Sequence, residues 1–283
     1  MERATIRPID VRHRGHERVI CSWLVGDVLI DCGPGSTFDT LIEELGDVRP
    51  RVLALTHIHL DHAGAAGLLA DHFPDLEVWV HEIGAPHLID PSRLIASATR
   101  LYGDQMGALW GEMRPVPADR VRDLRGGEQL GSLEVAYTPG HASHHVSYWH
   151  EQSRTAFTGD VTGVRIAPAD YVLAPTPPPD VDVDAWLDSL RLLRQWRPEH
   201  LAITHFGSFD DVSTHLDAIQ RSLELAARRA KELTVEEFVA ATGAEVAAAG
   251  DPETVAAYTL GAPLDQTYAG LARYWRKREE AAA

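Results

Sequence analysis

The segment Thr56-His57-Ile58-His59-Leu60-Asp61-His62 packs three imidazoles and a carboxylate into a few residues. Buried together, such groups would be poorly solvated with no structural gain, whereas a divalent metal ion supplies the partner they need. The run before it, Arg51-Val52-Leu53-Ala54-Leu55, is apolar and β-compatible. The small residues after it, Ala63 to Leu69, read as the start of a helix lying close against a sheet. His57 and His59, two apart in an extended segment, face one way. Asp61 and His62, at the helix entry, turn toward a second position. That spacing predicts two metals.

Further along, other strand-like runs end in residues of ligand type. Leu133-Glu134-Val135-Ala136-Tyr137 runs into Thr138-Pro139-Gly140-His141, whose tight turn would project His141 from a rigid loop. His144 and His145 follow on the same loop and are expected to support a ligand or face substrate. Arg154 to Thr158 ends in Gly159-Asp160, and a carboxylate there could give one oxygen to each of two metals. Leu201-Ala202-Ile203-Thr204 ends in His205. Several strands delivering such groups to one edge predict a site. Upstream, Val19 to Val25 and Val28 to Ile30 form a hairpin signal around Gly26-Asp27 and end at Asp31, which either caps its loop or orients a ligand histidine. His81, ending the strand Leu76 to His81, is expected to be hydrogen-bonded rather than ligating.

The intervening elements must carry these groups. Asp39 to Leu45 reads as a crossover helix. Residues 86–120, marked off by Pro91, Pro115 and Pro117, form a helical insertion in which Leu94, Ala98, Leu101, Met106, Leu109 and Trp110 make an apolar face. It is either a packed helix pair or a lid and pocket wall over the metals, with a homodimer contact as a further role. Tyr171, in the Pro-rich connection Ala167 to Pro179, is a candidate oxyanion donor or a packed loop residue. Beyond His205, Val212 to Leu233 and a further stretch to about Lys277 read as a helical tail, on which Arg228, Arg229 and Lys231 form a solvated face.

The chain has 283 residues, 45% hydrophobic and 24% charged, which suits a large α/β enzyme. Its formal charge of −16 repels polyanions, so nucleic acid is not an expected partner and a small molecule is. Two cysteines, Cys21 and Cys32, and no export signal at Met1-Glu2-Arg3-Ala4-Thr5 point to the cytoplasm, and no apolar run is long enough to cross a membrane.

Asp31, the HxHxDH of residues 57–62, the TPGH ending at His141, the TGD ending at Asp160 and the TH ending at His205 occur in the order found in the metallo-β-lactamase-fold hydrolases, which this chain resembles over about residues 18–207. The chain resembles the glyoxalase II-like or lactonase-like branch, and its helical tail is similar to the C-terminal extension of glyoxalase II-like members. The resemblance implies an α/β fold, a four-layer αββα sandwich with a catalytic domain over 1–210, the insertion at 86–120 and a C-terminal helical extension over 211–283. It further implies His57, His59 and His141 on one metal, Asp61, His62 and His205 on the other, and Asp160 bridging. Zinc is the usual ion, with iron or manganese in some branches. Two such cations, roughly 3.5–4 Å apart, hold a bridging hydroxide, and Asp61 would orient it or protonate the leaving group. The expected reaction is hydrolysis of a thioester, ester or lactone.

Other branches fit less well. Flavodiiron-type relatives carry Glu where this chain has His59, and secreted class B β-lactamases lack Asp at the position of Asp160. Ribonuclease-like branches need a basic surface. A mononuclear-iron persulfide dioxygenase, holding iron with His57, His141 and Asp160, is the rival enzyme. A non-catalytic metal-binding sensor is the rival of another class.

Overall fold

Along β2 (Cys21–Val25), side chains alternate between two destinations: Cys21, Trp23 and Val25 point into one apolar cluster and Leu24 into another. Period-two alternation with both faces apolar is what a sheet covered on both sides requires. The computed structural model describes residues 5–282; Met1 to Ala4, read above for an export signal, lie outside the described residues.

The first sheet has the order β1 (Ile6–Asp10), β2, β3 (Val28–Ile30), β4 (Val52–Ala54), β5 (Glu77–His81) and β6 (Val121–Leu124). β1 to β3 are antiparallel, and β3 to β6 run parallel. The parallel half needs crossovers. α1 (Phe38–Leu45) supplies the first, α2 (Leu60–Ala63) with α3 (Ala66–His72) the second, and the insertion helices α4 (Ala85–Ile89), α5 (Ser92–Tyr102) and α6 (Met106–Trp110) the third. The second sheet has the order β12, β11, β10, β9, β8, β7, in which β7 is Gln129–Leu130, β8 Leu133–Tyr137, β9 Val146–His150, β10 Thr155–Val164, β11 His200–His205 and β12 Gly207–Phe209. Only β10 and β11 pair in parallel there, joined through α7 (Val183–Trp196).

Three apolar clusters define four layers. Trp23, Ile30 and Ala54 meet Val135, Tyr148 and Phe157 between the sheets. Leu29, Leu53 and Val78 face Leu41 of α1 and Leu69 of α3 on one outer side. Ala156, Leu201 and Ile203 face Trp186 of α7 and Leu216 and Ile219 of α8 (Val212–Glu232) on the other. The protein is thus an αββα sandwich. It continues into α9 (Val235–Ala249), α10 (Pro252–Gly261) and α11 (Leu264–Ala282). Thr234 and Glu237 form a reciprocal cap at the start of α9, and Asp251 caps α10, which stops the chain running on as one helix. The tail is anchored in the sandwich: Phe238 and Leu271 join the α7–α8 cluster, and Tyr258 the opposite one. No helix among the described residues is long and apolar enough to cross a membrane.

Of the three basic residues read as a solvated face of α8, Arg228 and Lys231 are exposed, but Arg229 and Lys231 also engage the following helices. Arg229 makes paired contacts of 2.6 and 2.9 Å with Glu245 of α9, and the Lys231 ammonium lies 4.6 Å from the Trp275 ring centre. Both fasten α8 to the helices that follow.

Candidate metal centre

Each strand that approaches the shared edge of the two sheets ends at, or carries, a donor. β3 leads to Asp31, β4 to His57 and His59, and β8 to His141, while β11 ends on His205. His62 lies in the single turn of α2, whose N-terminal flank is His59. Asp160 departs from the strand-end pattern because it sits inside β10. A register shift around Gly159, which has φ +49°, turns its carboxylate inward without ending the strand. A Cβ on Gly159 would lie 2.7 Å from both Thr56 Oγ1 and His145 Nε2, so only glycine admits this approach. Gly140 does the same for the His141 turn, packing at φ +131° where a Cβ would meet Trp186 backbone at 2.3 Å.

The donors converge as two overlapping groups. His57 Nε2 lies 2.9 Å and His141 Nε2 3.0 Å from His59 Nδ1. In the other group, His62 Nε2 is 3.7 Å and His205 Nε2 3.4 Å from Asp61 Oδ2. Asp160 stands between them, with Oδ1 3.2 Å from His62 Nε2 and Oδ2 3.4 Å from His141 Nε2. His57, His59 and His141 form one candidate triad, Asp61, His62 and His205 a second, and His57, His62 and Asp160 link them.

Hydrogen bonds at the far side of the rings set which nitrogen faces inward. His62 Nδ1 donates to Asp31 at 2.8 Å, His141 Nδ1 to the Pro175 carbonyl at 2.9 Å and His205 Nδ1 to the Val19 carbonyl at 2.6 Å. Of the two roles open to Asp31, the structure assigns both orienter and loop anchor. Besides His62, it accepts from the Thr56 amide and hydroxyl, each at 2.8 Å, and from Thr204 at 3.2 Å. His145 accepts the Asp160 amide at 3.3 Å and meets Thr138 Oγ1 at 3.0 Å, so it braces Asp160. His144 Nδ1 accepts the Ile58 amide at 3.4 Å, and its ring lies nearly parallel to that of His57. His81 stacks on Tyr137 away from the cluster.

The inward atoms His62 Nε2, His205 Nε2 and Asp160 Oδ1 are buried without a hydrogen-bond partner. Three such orphans meeting at one point carry a large desolvation cost that a divalent cation removes, so these residues fit a metal centre.

Burial lowers the pKa of His57 well below the ordinary 6.5, with neighbouring imidazoles adding to the effect, and holds His59 down to about 3. Burial likewise lowers His141, His144 and His145. At His62 and His205 burial is outweighed by Asp160 and Asp61, and both pKa values rise. For the lowered histidines the unfolded chain binds more protons below 6.5, so stability falls on acidification; for the raised pair the folded chain binds more above 6.5, so their contribution is lost as pH rises through their folded values. Urea midpoints of the metal-free protein should therefore fall steeply from pH 6.5 to 4.5 and decline more gently above 7. A midpoint flat from pH 7 to 4.5 would contradict these assignments.

The centre opens into a cavity of about 400 Å³ reached by His59, Asp61 and Asp160. Two sides come from regions that the sequence marked as helical insertion and tail, through Ala98, Leu101 and Trp110 and through Leu260 and Gln266. His13 and Arg14 also line it and were not foreseen. They lie in a loop whose Arg12 and Arg14 adopt φ of +50° and +56°. The only signal in the sequence was the polar run Arg12-His13-Arg14-Gly15-His16, which ends no long apolar segment.

Of the two roles open to Tyr171, that of oxyanion donor is corrected to that of a packed loop residue. Its hydroxyl donates to Glu245 at 3.1 Å, and it lines a separate cavity with Arg229. Packing between Tyr258 and the α8–α9 pair holds the ring there, so it offers no oxyanion donor to the centre.

Residues 19–205 match the model of the metallo-beta-lactamase superfamily. The chain belongs to that superfamily. The metallo-beta-lactamase fold-containing protein ST1585 of Sulfurisphaera tokodaii is 30% identical over 162 residues, 55% of this chain and 60% of its own. Hydroxyacylglutathione hydrolase GloC of Haemophilus influenzae is 31% identical over 130 residues, 45% of this chain and 58% of its own. The chain thus spans about six-tenths of the length of these curated relatives. Among solved structures, that of ST1585 superposes with a TM-score of 0.70 at 21% identity, covering 95% of this chain and 98% of the other. TTHA1623 in a di-iron-bound form aligns with a TM-score of 0.51 at 28% identity, covering 72% and 93%. This superfamily member is thus similar to a hydroxyacylglutathione hydrolase and to a probable metallo-hydrolase of Bacillus subtilis, and it carries His and Asp groups that could hold a metal ion.

Proposed function

We propose that the protein is a dinuclear metal hydrolase acting on a thioester, ester or lactone of a small molecule. The observation that carries this reading is the position of Asp160, whose two oxygens face different triads while the whole cluster opens on one small-molecule cavity. His57, His59 and His141 would hold one ion, Asp61, His62 and His205 the other, and Asp160 would touch both. Two divalent cations held by these residues would supply an activated water and polarise the scissile carbonyl. Zinc suits imidazole-rich donors best, although the di-iron form of TTHA1623 shows that a relative takes iron.

The chain's own residues do the rest. Asp31, Pro175 and Val19 fix ring tautomers, so the donors need little rearrangement. Asp61 lies at the cavity wall with its side chain 19% exposed, and as a carboxylate is placed to take a proton from the attacking water and pass it to the leaving group. His62 and His205 hold its pKa down despite burial and the neighbouring Asp160 carboxylate. The name of GloC supports a thioester among the candidate substrates.

A panel of one thioester, one aryl ester and one lactone tests the reading. Turnover of at least one should fall by on the order of 10³-fold after chelation and return with added zinc. Turnover unaffected by a chelator that strips the protein of metal would remove it.

A further inference from the structure

The cavity beside the donor cluster has an uneven chemistry. Its floor is polar, formed by His59, Asp61 and Asp160. Its walls are apolar: Leu94, Ala98 and Leu101 of α5 on one side, Leu260 and Ala262 at the end of α10 on the other. The Tyr102 hydroxyl donates to Gln266 at 3.0 Å and ties α5 to α11 across this space. Leu101 stays 50% exposed within the wall, so apolar surface is kept open to solvent beside the centre. Such surface next to a polar cluster marks a ligand groove.

Charge is sparse in the lining. Among the described residues that form it, Arg14 is the one Arg or Lys, and it is exposed. A multiply anionic carrier seated in the cavity would leave its charges unpaired against Asp61 and Asp160. A neutral hydrocarbon chain meets no such cost and gains from each methylene it buries.

We propose that the cavity takes the acyl part of the substrate as an apolar chain, laid between α5 and the end of α10, with its carbonyl at the donor cluster and the leaving group toward solvent at Arg14. This rests on the hydrolase reading and names the substrate class within it.

Two readouts on the metal-loaded protein keep the claims separable. The first is kcat/KM for straight-chain aryl esters from acetyl to octanoyl. The second is calorimetric binding of butanoate, hexanoate and octanoate. Both should strengthen with length, kcat/KM by roughly fourfold per methylene until the cavity is full. In Leu101→Asp the octanoyl-to-acetyl ratio should drop at least tenfold. Turnover of acetyl ester with a flat length profile in both readouts would overturn the acyl pocket and leave the hydrolase standing. Length-dependent binding, weakened in Leu101→Asp, without turnover of any ester would keep the pocket and remove the hydrolase. Flat binding and no turnover would remove both.

Discussion

Asp160→Ala is expected to lower turnover by on the order of 10³-fold or more while leaving a folded protein. The two carboxylate oxygens of Asp160 face different triads. Its Oδ1 lies 3.2 Å from His62 Nε2 and 3.5 Å from His205 Nε2, and its Oδ2 3.4 Å from His141 Nε2. Without it, each group of imidazoles keeps its own donors but loses the shared oxygen, so the two ions would be held apart in affinity and position. The stability cost should be modest. Removing one partner of a buried charge pair costs about 3–5 kcal/mol when the other charge is stranded. Here His62 and His205 owe their raised pKa values to Asp160 together with Asp61, and can shed a proton when it is lost. A loss nearer 1–2 kcal/mol is therefore expected, as for other buried polar changes. Metal titration and urea denaturation of the same sample separate the two effects. Activity within tenfold of the parent would exclude Asp160 from the centre.

Asp31→Ala is expected to act in the opposite proportion, chiefly on the fold. Asp31 is 1% exposed and accepts from the Thr56 amide and hydroxyl, Thr204 and His62. Alanine strands these donors in an environment without water, where each unsatisfied group costs about 1–3 kcal/mol and rotation of the hydroxyls recovers part of it. The backbone adds to this, since Asp31 has φ +54°, a conformation that aspartate tolerates better than alanine. A total near 3–5 kcal/mol follows. Loss of the His62 orienter should also weaken metal binding by about 10–100-fold. Asp31→Asn keeps an acceptor and the backbone preference, so it should recover most of the stability. Equal denaturation midpoints for the Ala and Asn variants would refute this account of the Asp31 cluster.

The strands that run into the centre were legible because each is a short apolar run closed by a polar residue, and that pattern follows from local geometry. Leu133 to Tyr137 before the His141 turn is such a case. Three features were not legible. The edge strand β1, Ile6–Asp10, alternates Pro and charged residues with its apolar ones, and pairing with β2 supplies what its sequence does not. Asp160 reads as a strand end but lies mid-strand, because a glycine bulge can reorient a side chain without breaking the ladder. The sequence does not single out His13 and leaves Tyr171 between two roles for one reason, namely that long-range packing decides which side chains reach the centre. His13 and Arg14 reach the cavity, whereas the Ala167–Pro179 connection lines it with Pro175 and Pro177 to Pro179 and sends Tyr171 toward Glu245.

The most direct test of the central claim is the metal content of the active protein, measured by elemental analysis on material grown without added metal. Two divalent ions per chain, chiefly zinc, are predicted, falling to about one or fewer in His205→Ala. A single iron per chain, with oxygen consumed on a persulfide and no ester or thioester cleaved, would contradict the dinuclear hydrolase.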